Sequence, residues 1–185
     1  MSEHLGEPQH APPALADLVA LRLRDVPDFP RPGILFKDIG PLLVDPMAFD
    51  AVIEHFAGRH HGRIDLVAGV EARGFIFGAA LAHALGVGFI PVRKAGKLPG
   101  PVIELPYELE YAQARLAVQA GVVDPGQKAV VVDDVLATGG TAAAACELMG
   151  QIGAEVVGVD VVVELAQLDG RATLAGRSVY SVFTT

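Results

Sequence analysis

The sequence predicts an α/β domain on a mostly parallel sheet with helices on both faces, and three observations carry that prediction. Beyond residue 60, short apolar runs alternate with helix-patterned stretches, as right-handed β-α-β crossovers require. Several of the runs are continuously apolar, the pattern of strands buried on both faces. One of them, VVVDD at 130–134, carries two carboxylates to its C-terminal end, where open α/β sheets hold their ligands.

Taken in order, residues 1–13, with Pro8, Pro12 and Pro13, read as a mobile lead-in. Leu15, Leu18, Val19 and Leu21 to Leu23 then predict a first amphipathic helix, followed by a proline-broken stretch over 26–33. Ile34 to Ile39 is expected to be extended. Asp45 followed by Pro46 is a helix cap with proline at the first helical position, and Met47, Phe49, Val52, Ile53 and Phe56 continue that helix to about Arg59. The alternation that follows predicts a strand at Leu66–Val70, a helix at Phe75–Leu85, strands at Val87–Val92 and Ala129–Asp133, a helix at Thr141–Ile152 and a strand at Glu155–Val163. Between Lys94 and Leu109 nothing periodic is visible, and Gly96, Pro99, Gly100 and Pro106 predict a long loop, a common form for a lid.

A chain of 185 residues, 51% hydrophobic, supports one substantial core and is short for two domains. Its 22 acids against 14 bases give a net charge of −8, which argues against nucleic acid as a partner. Lys37, Arg73, Arg93, Lys94 and Lys97 nonetheless lie in or beside the motifs described below, as a local phosphate-binding cleft would require; Arg59, Arg63, Lys128, Arg171 and Arg177 are expected to be solvated. Cys146 is the single cysteine, so no intrachain disulfide can form, and it is expected to pack inside a helix. The six histidines show no metal-ligand spacing, and no metal held by the protein alone is expected. Gly74 to Val92 is nearly long enough to span a membrane, but Gly86, Gly88 and Pro91 divide it into a helix and a buried strand. Glu3, Glu7 and the early prolines leave no apolar N-terminal run, so a cytoplasmic location without membrane association is expected.

The most informative stretch is VVVDDVLATGGT at 130–141. Asp133 and Asp134 at a strand end can grip a sugar diol. Ala137, Thr138, Gly139, Gly140 and Thr141 form a small, glycine-bearing turn into a helix, whose unpaired N–H groups and neighbouring hydroxyls can seat a phosphate dianion. On chemistry alone the stretch fits either a ribose 5-phosphate site or an ordinary strand, turn and capped helix. A nucleotide triphosphatase loop is excluded because Gly96-Lys97 precedes Leu98 and not Ser or Thr, and no G-x-G-x-x-G dinucleotide fingerprint occurs.

VVVDDVLATGGT resembles the phosphoribosyl pyrophosphate (PRPP) motif of type I phosphoribosyltransferases. DFPRPGILFKD at 28–38, EARGF at 71–75, RKAGKLPG at 93–100 and YELEY at 107–111 resemble the adenine-specific branch of that family, and the similarity runs from about Leu15 to about Tyr180. The resemblance implies the type I fold, with a central mostly parallel sheet and a small hood formed largely by the N-terminal region at about 14–45. It also implies one domain over 14–185, with the lid at about 94–111. The implied reaction transfers the 5-phosphoribosyl group of PRPP to N9 of adenine, giving AMP and pyrophosphate, through a transition state with oxocarbenium character at the ribose.

The same resemblance assigns roles. Asp133 and Asp134 would bind the ribose hydroxyls and Ala137–Thr141 the 5-phosphate. Arg73 would face the pyrophosphate, with Arg93, Lys94 and Lys97 as further PRPP-binding bases, and the Glu71–Ala72 peptide corresponds to a place where the family often has a cis bond. The backbone of Leu35 and Lys37 would read adenine between Phe36 and Val135, and Glu110 would contact purine N7 as general acid/base. Mg²⁺, held mainly by substrate oxygens and water, would be the cofactor. Relatives are homodimers in which a base matching Arg93 reaches toward the neighbouring site. Gly40, Ala95, Ala112 and Ala117 depart from the family pattern without removing a proposed catalytic group.

Overall fold

The computed structural model describes residues 10–109 and 112–185, with side chains described outside 107–114. In chain order the elements are α1 (Pro13–Ala20), β1 (Arg24–Pro27), β2 (Leu35–Asp38), α2 (Gly40–Val44), α3 (Pro46–His60), β3 (Leu66–Val70), α4 (Gly74–Leu85) and β4 (Gly88–Lys94). They continue with β5 (Val102–Leu109), β6 (Ala112–Gln119), β7 (Lys128–Leu136), α5 (Gly140–Gln151), β8 (Glu155–Glu164), α6 (Gly170–Thr173) and β9 (Val179–Thr184).

Seven strands form one sheet in the order β5-β6-β4-β3-β7-β8-β9, and β1 and β2 form a separate antiparallel ribbon. The five strands from β4 through β9 pair in parallel, while β6 runs antiparallel to both β4 and β5. Alternation along β7 shows why its apolar run is unbroken: Val131 packs on one face with Ala145, Leu148 and Met149 of α5, and Val130 and Val132 on the other with Val52, Phe56, Phe77 and Leu81 of α3 and α4. Val19, Ile39 and Leu42 join that second cluster, which ties the N-terminal elements to the sheet. Among the described residues no helix is long and apolar enough to cross a membrane.

Local signals act as expected at several boundaries. The Asp45 carboxylate accepts the N–H groups of Met47 and Ala48 at 3.0 and 3.1 Å, capping α3, with Pro46 in its first turn. α4 ends at Gly86, whose φ of 68° suits a residue without Cβ. Cys146 is buried in α5, and burial pushes its thiol up to about 11.

Other expectations require correction. The stretch from Lys94 to Leu109 is not loop throughout, because Val102–Leu109 is β5, paired with β6 from Val102↔Gln119 to Leu109↔Ala112. Ile103 and Leu105 pack against the core on alternate positions, and Pro106 is tolerated because β5 lies at the sheet edge. β1 runs into the start of the proline-broken stretch, ending at Pro27, for the same reason, since a two-stranded ribbon consists of edges. β6, β9 and α2 also lie outside the elements expected. Of the lead-in expected at 1–13, residues 1–9 are outside the described residues, whereas His10 bridges to Ser181 and Pro13 opens α1. Arg59 and Arg171 are not solvated: Arg59 places its guanidinium carbon 3.6 Å from the Tyr180 ring centroid, and Arg171 pairs with buried Glu164.

Candidate active site

β7 carries its two acids to the carboxyl end of the parallel sheet, directly before the loop that enters α5. Gly74, the first residue of α4, lets the two elements meet there: a Cβ on it would stand 2.7 Å from the Val132 carbonyl and 2.9 Å from Asp133 Oδ1. Asp133 Oδ1 also accepts the Asp134 N–H at 2.9 Å. Burial, and then the adjacent Asp134 charge, push the Asp133 carboxyl well above the ordinary carboxylate range, although the residue keeps some exposed surface. Burial likewise raises Asp134, against the opposing charge of Arg73. Arg73 Nε lies 2.9 Å from Asp134 Oδ2, close enough for an ion pair, yet that buried oxygen receives no well-aligned hydrogen bond from the described residues. Two carboxylates with spare acceptor capacity suit a sugar diol.

The geometry of the following loop suits an anion. Gly139 adopts φ +84°, which a side chain rarely accepts, and as the residue before α5 it supplies no side-chain cap. The first amides of α5 are therefore open to a ligand at the positive end of the helix. Thr138 and Thr141 flank them with hydroxyls.

The β1–β2 ribbon stands on the other side of Arg73. Phe36 packs edge-on to Phe29 with centroids 5.0 Å apart, and the Arg73 guanidinium lies over its ring. Arg73 Nη1 makes a long contact, 3.5 Å, with the Lys37 carbonyl. The Lys37 ammonium turns instead to Asp25 at 2.7 Å, so it is the Lys37 backbone carbonyl that faces Arg73. Among the described residues β2 has a strand on one edge only, which leaves the other edge available for backbone recognition. Leu35 is exposed, and Val135, at the end of β7, packs partly against the core.

Glu71 organises the basic residues, a role that the sequence alone did not suggest. Its Oε1 accepts Lys97 Nζ at 2.5 Å, and its Oε2 accepts the Lys94 N–H at 3.0 Å and Arg93 Nε at 3.3 Å. Burial pushes the Glu71 carboxyl up, but these three donors outweigh it and hold it at about 2. Arg93 Nη1 also donates to the Lys97 carbonyl at 3.0 Å, so in this chain Arg93 is turned toward its own Glu71. The expected cis bond is found at Glu71–Ala72.

The structure thus gathers Asp133, Asp134, Arg73, Phe36 and the Lys37 backbone, with Arg93, Lys94 and Lys97 grouped around Glu71. Glu110 lies outside the described residues. A separate cleft of about 570 Å³, lined by Arg59, His60, Lys128 and Asp160, opens toward the amino-terminal end of β7 and is remote from this chemistry.

The phosphoribosyl transferase domain family matches residues 38–182. Adenine phosphoribosyltransferase of Cricetulus griseus is 53% identical over 169 residues, 89% of this chain and 94% of that protein. The crystal structure of adenine phosphoribosyltransferase from Thermoanaerobacter pseudethanolicus is 46% identical and superposes with a TM-score of 0.88, covering 92% of this chain and 99% of the other. That of the Saccharomyces cerevisiae enzyme, complexed with an imino-altritol bisphosphate and adenine, is 41% identical with a TM-score of 0.86, covering 91% and 98%. A core with the family's sheet, an acid pair at its carboxyl edge and relatives matched over nearly their full length agree on one conclusion: the chain belongs to the phosphoribosyltransferase family, in its adenine phosphoribosyltransferase branch.

Proposed function

We infer that the groove at the carboxyl end of β7 transfers the 5-phosphoribosyl group of PRPP to N9 of adenine, forming AMP and pyrophosphate in purine salvage. The observation that carries this reading is the convergence of Asp134, Arg73 and Phe36 beside an uncapped, glycine-led helix start. Asp133 and Asp134 hold the ribose hydroxyls, and the Ala137–Thr141 loop holds the 5-phosphate. Arg73, with Arg93, Lys94 and Lys97, holds the pyrophosphate and stabilises its charge as it leaves, which favours the oxocarbenium-like transition state. Phe36 and Val135 sandwich the purine while backbone groups of Leu35 and Lys37 read its edge. Glu110 as the acid/base at purine N7 rests on the family resemblance.

Mg²⁺ suits this donor set, since it takes one or two carboxylates, water and substrate phosphates, and the acid pair includes the under-bonded Asp134 Oδ2. When bound, it supplies charge neutralisation to the diphosphate. The reading extends to a single domain over 14–185 with a hood at about 14–45, a lid within 94–111, a homodimer and a cytoplasmic location. Incubation with labelled adenine, PRPP and Mg²⁺ is expected to yield AMP and pyrophosphate. Absence of AMP at saturating PRPP would remove the assignment.

A further inference from the structure

Behind the phosphate loop stands α6, a single helical turn to which the reaction assigns no role. The Thr173 hydroxyl donates to the Thr138 carbonyl at 2.7 Å. At the other end of the turn, a Cβ on Gly170 would stand 2.2 Å from the Ala137 carbonyl, and one on Gly139 would stand 2.4 Å from the Gly170 carbonyl. The Thr173 bond and the Gly170 approach both engage carbonyls of the loop, and neither occupies an amide.

α6 is itself anchored. Arg171, between the two contact residues, donates to both Glu164 carboxylate oxygens at 2.6 and 2.7 Å and to the Val179 carbonyl at 2.9 Å. The Glu164 side chain is 7% exposed and also accepts the Ser181 hydroxyl at 2.8 Å, so the clamp joins α6 to the end of β8 and to β9. A forked arginine–carboxylate pair in a buried setting fixes orientation as well as distance.

We propose that Thr173, supported by the close approach of Gly170, is a positioning residue for the phosphate seat. Clamped by Arg171 and Glu164, α6 holds the Ala137 and Thr138 carbonyls in place so that the amides following them stay aimed at the dianion. The proposal rests on the reading that Ala137–Thr141 seats the 5-phosphate of PRPP.

Steady-state kinetics on Thr173→Val, Thr173→Ser and Thr141→Ala test both statements separately. Loss of one neutral hydrogen bond in Thr173→Val is expected to raise the KM for PRPP about fivefold. The KM for adenine and the melting temperature should stay near wild type, because Thr173 is exposed. Thr173→Ser, which keeps the hydroxyl, should restore the wild-type value. A PRPP KM within twofold of wild type in Thr173→Val, or equal shifts for both substrates, overturns the positioning role. If Thr141→Ala raises the PRPP KM while Thr173→Val does not, only α6 loses its role. If Thr141→Ala leaves it unchanged, the seat itself is misassigned and the proposal falls with it.

Discussion

The guanidinium carbon of Arg73 stands 4.7 Å from the centroid of the Phe36 ring while its Nε lies 2.9 Å from Asp134 Oδ2. One side chain thus joins the ribbon that offers a stacking surface to the strand end that offers carboxylates. Cation–π contact and ion pairing both favour this position. On the proposed reading, a purine that stacks on that face of Phe36 displaces the guanidinium, and the pyrophosphate of PRPP draws it away.

Arg73→Ala should therefore separate the two substrates. Loss of a charge-assisted phosphate contact is expected to lower kcat/KM for PRPP about 10- to 100-fold. Calorimetric binding of adenine without PRPP should be unchanged or tighter, since the ring is uncovered. Lost adenine binding with intact PRPP kinetics would place Arg73 on the base side.

The acid pair predicts a pH effect with a definite sign. Asp133 and Asp134 are raised mainly by burial, so the folded protein holds protons there above the ordinary carboxylate range. Only the ionised carboxylates accept strong bonds from ribose hydroxyls, so kcat/KM for PRPP should fall as pH drops through an apparent pKa above that range. Asp134→Asn removes the neighbouring charge that helps raise Asp133 and should move the remaining acid limb to lower pH. In the same window the folded state binds more protons than the unfolded one, and stability declines as pH rises through it. Asp133→Asn is accordingly expected to raise the melting temperature at pH 7, by about 2–4 °C for each kcal/mol relieved, while impairing PRPP use. A lower melting temperature at pH 7 would contradict the raised pKa.

Glu71 has the opposite sign. Its carboxyl is held at about 2, below its ordinary value of 4.5, by Lys97, the Lys94 amide and Arg93. That depressed pKa contributes stability above about pH 4.5 and loses it as pH falls toward 2. Glu71→Gln should melt below wild type at pH 7, and the gap should narrow steadily in thermal melts taken down to pH 3. A gap independent of pH would assign the loss to packing instead of charge.

Base choice tests the ribbon. Adenine offers a 6-amino donor and an N1 acceptor, whereas hypoxanthine and guanine present the reverse pattern, and fixed backbone groups of Leu35 and Lys37 can satisfy only one. Two mismatches at about 1 to 3 kcal/mol each give roughly 10²- to 10⁴-fold preference for adenine in kcat/KM. Phe36→Ala should weaken every purine and leave the ratio mostly intact, because the ring supplies surface without a hydrogen-bond pattern. Use of hypoxanthine within tenfold of adenine would defeat the backbone-readout assignment.

What the sequence determined by itself is local in origin. The α/β alternation, the cap at Asp45, the two acids near the end of β7 and the glycine turn into α5 all depend on neighbours a few residues apart, where periodicity and side-chain chemistry act directly. Tertiary structure alone decided which distant residues meet. Thr173 reaches Thr138 across 35 positions and Arg73 reaches Lys37 across 36, and neither pairing leaves a periodic trace. Ile103 and Leu105 became strand positions only because β6 lay alongside to pair with them, so Pro106 could sit at an edge that local reading takes for loop. Glu71 acquired its three donors because β3 and β4 run parallel in register, which carries the residue after Val70 beside the end of β4. Strand order and register follow from burial of the whole core, a property of all the elements together and not of any one stretch of chain.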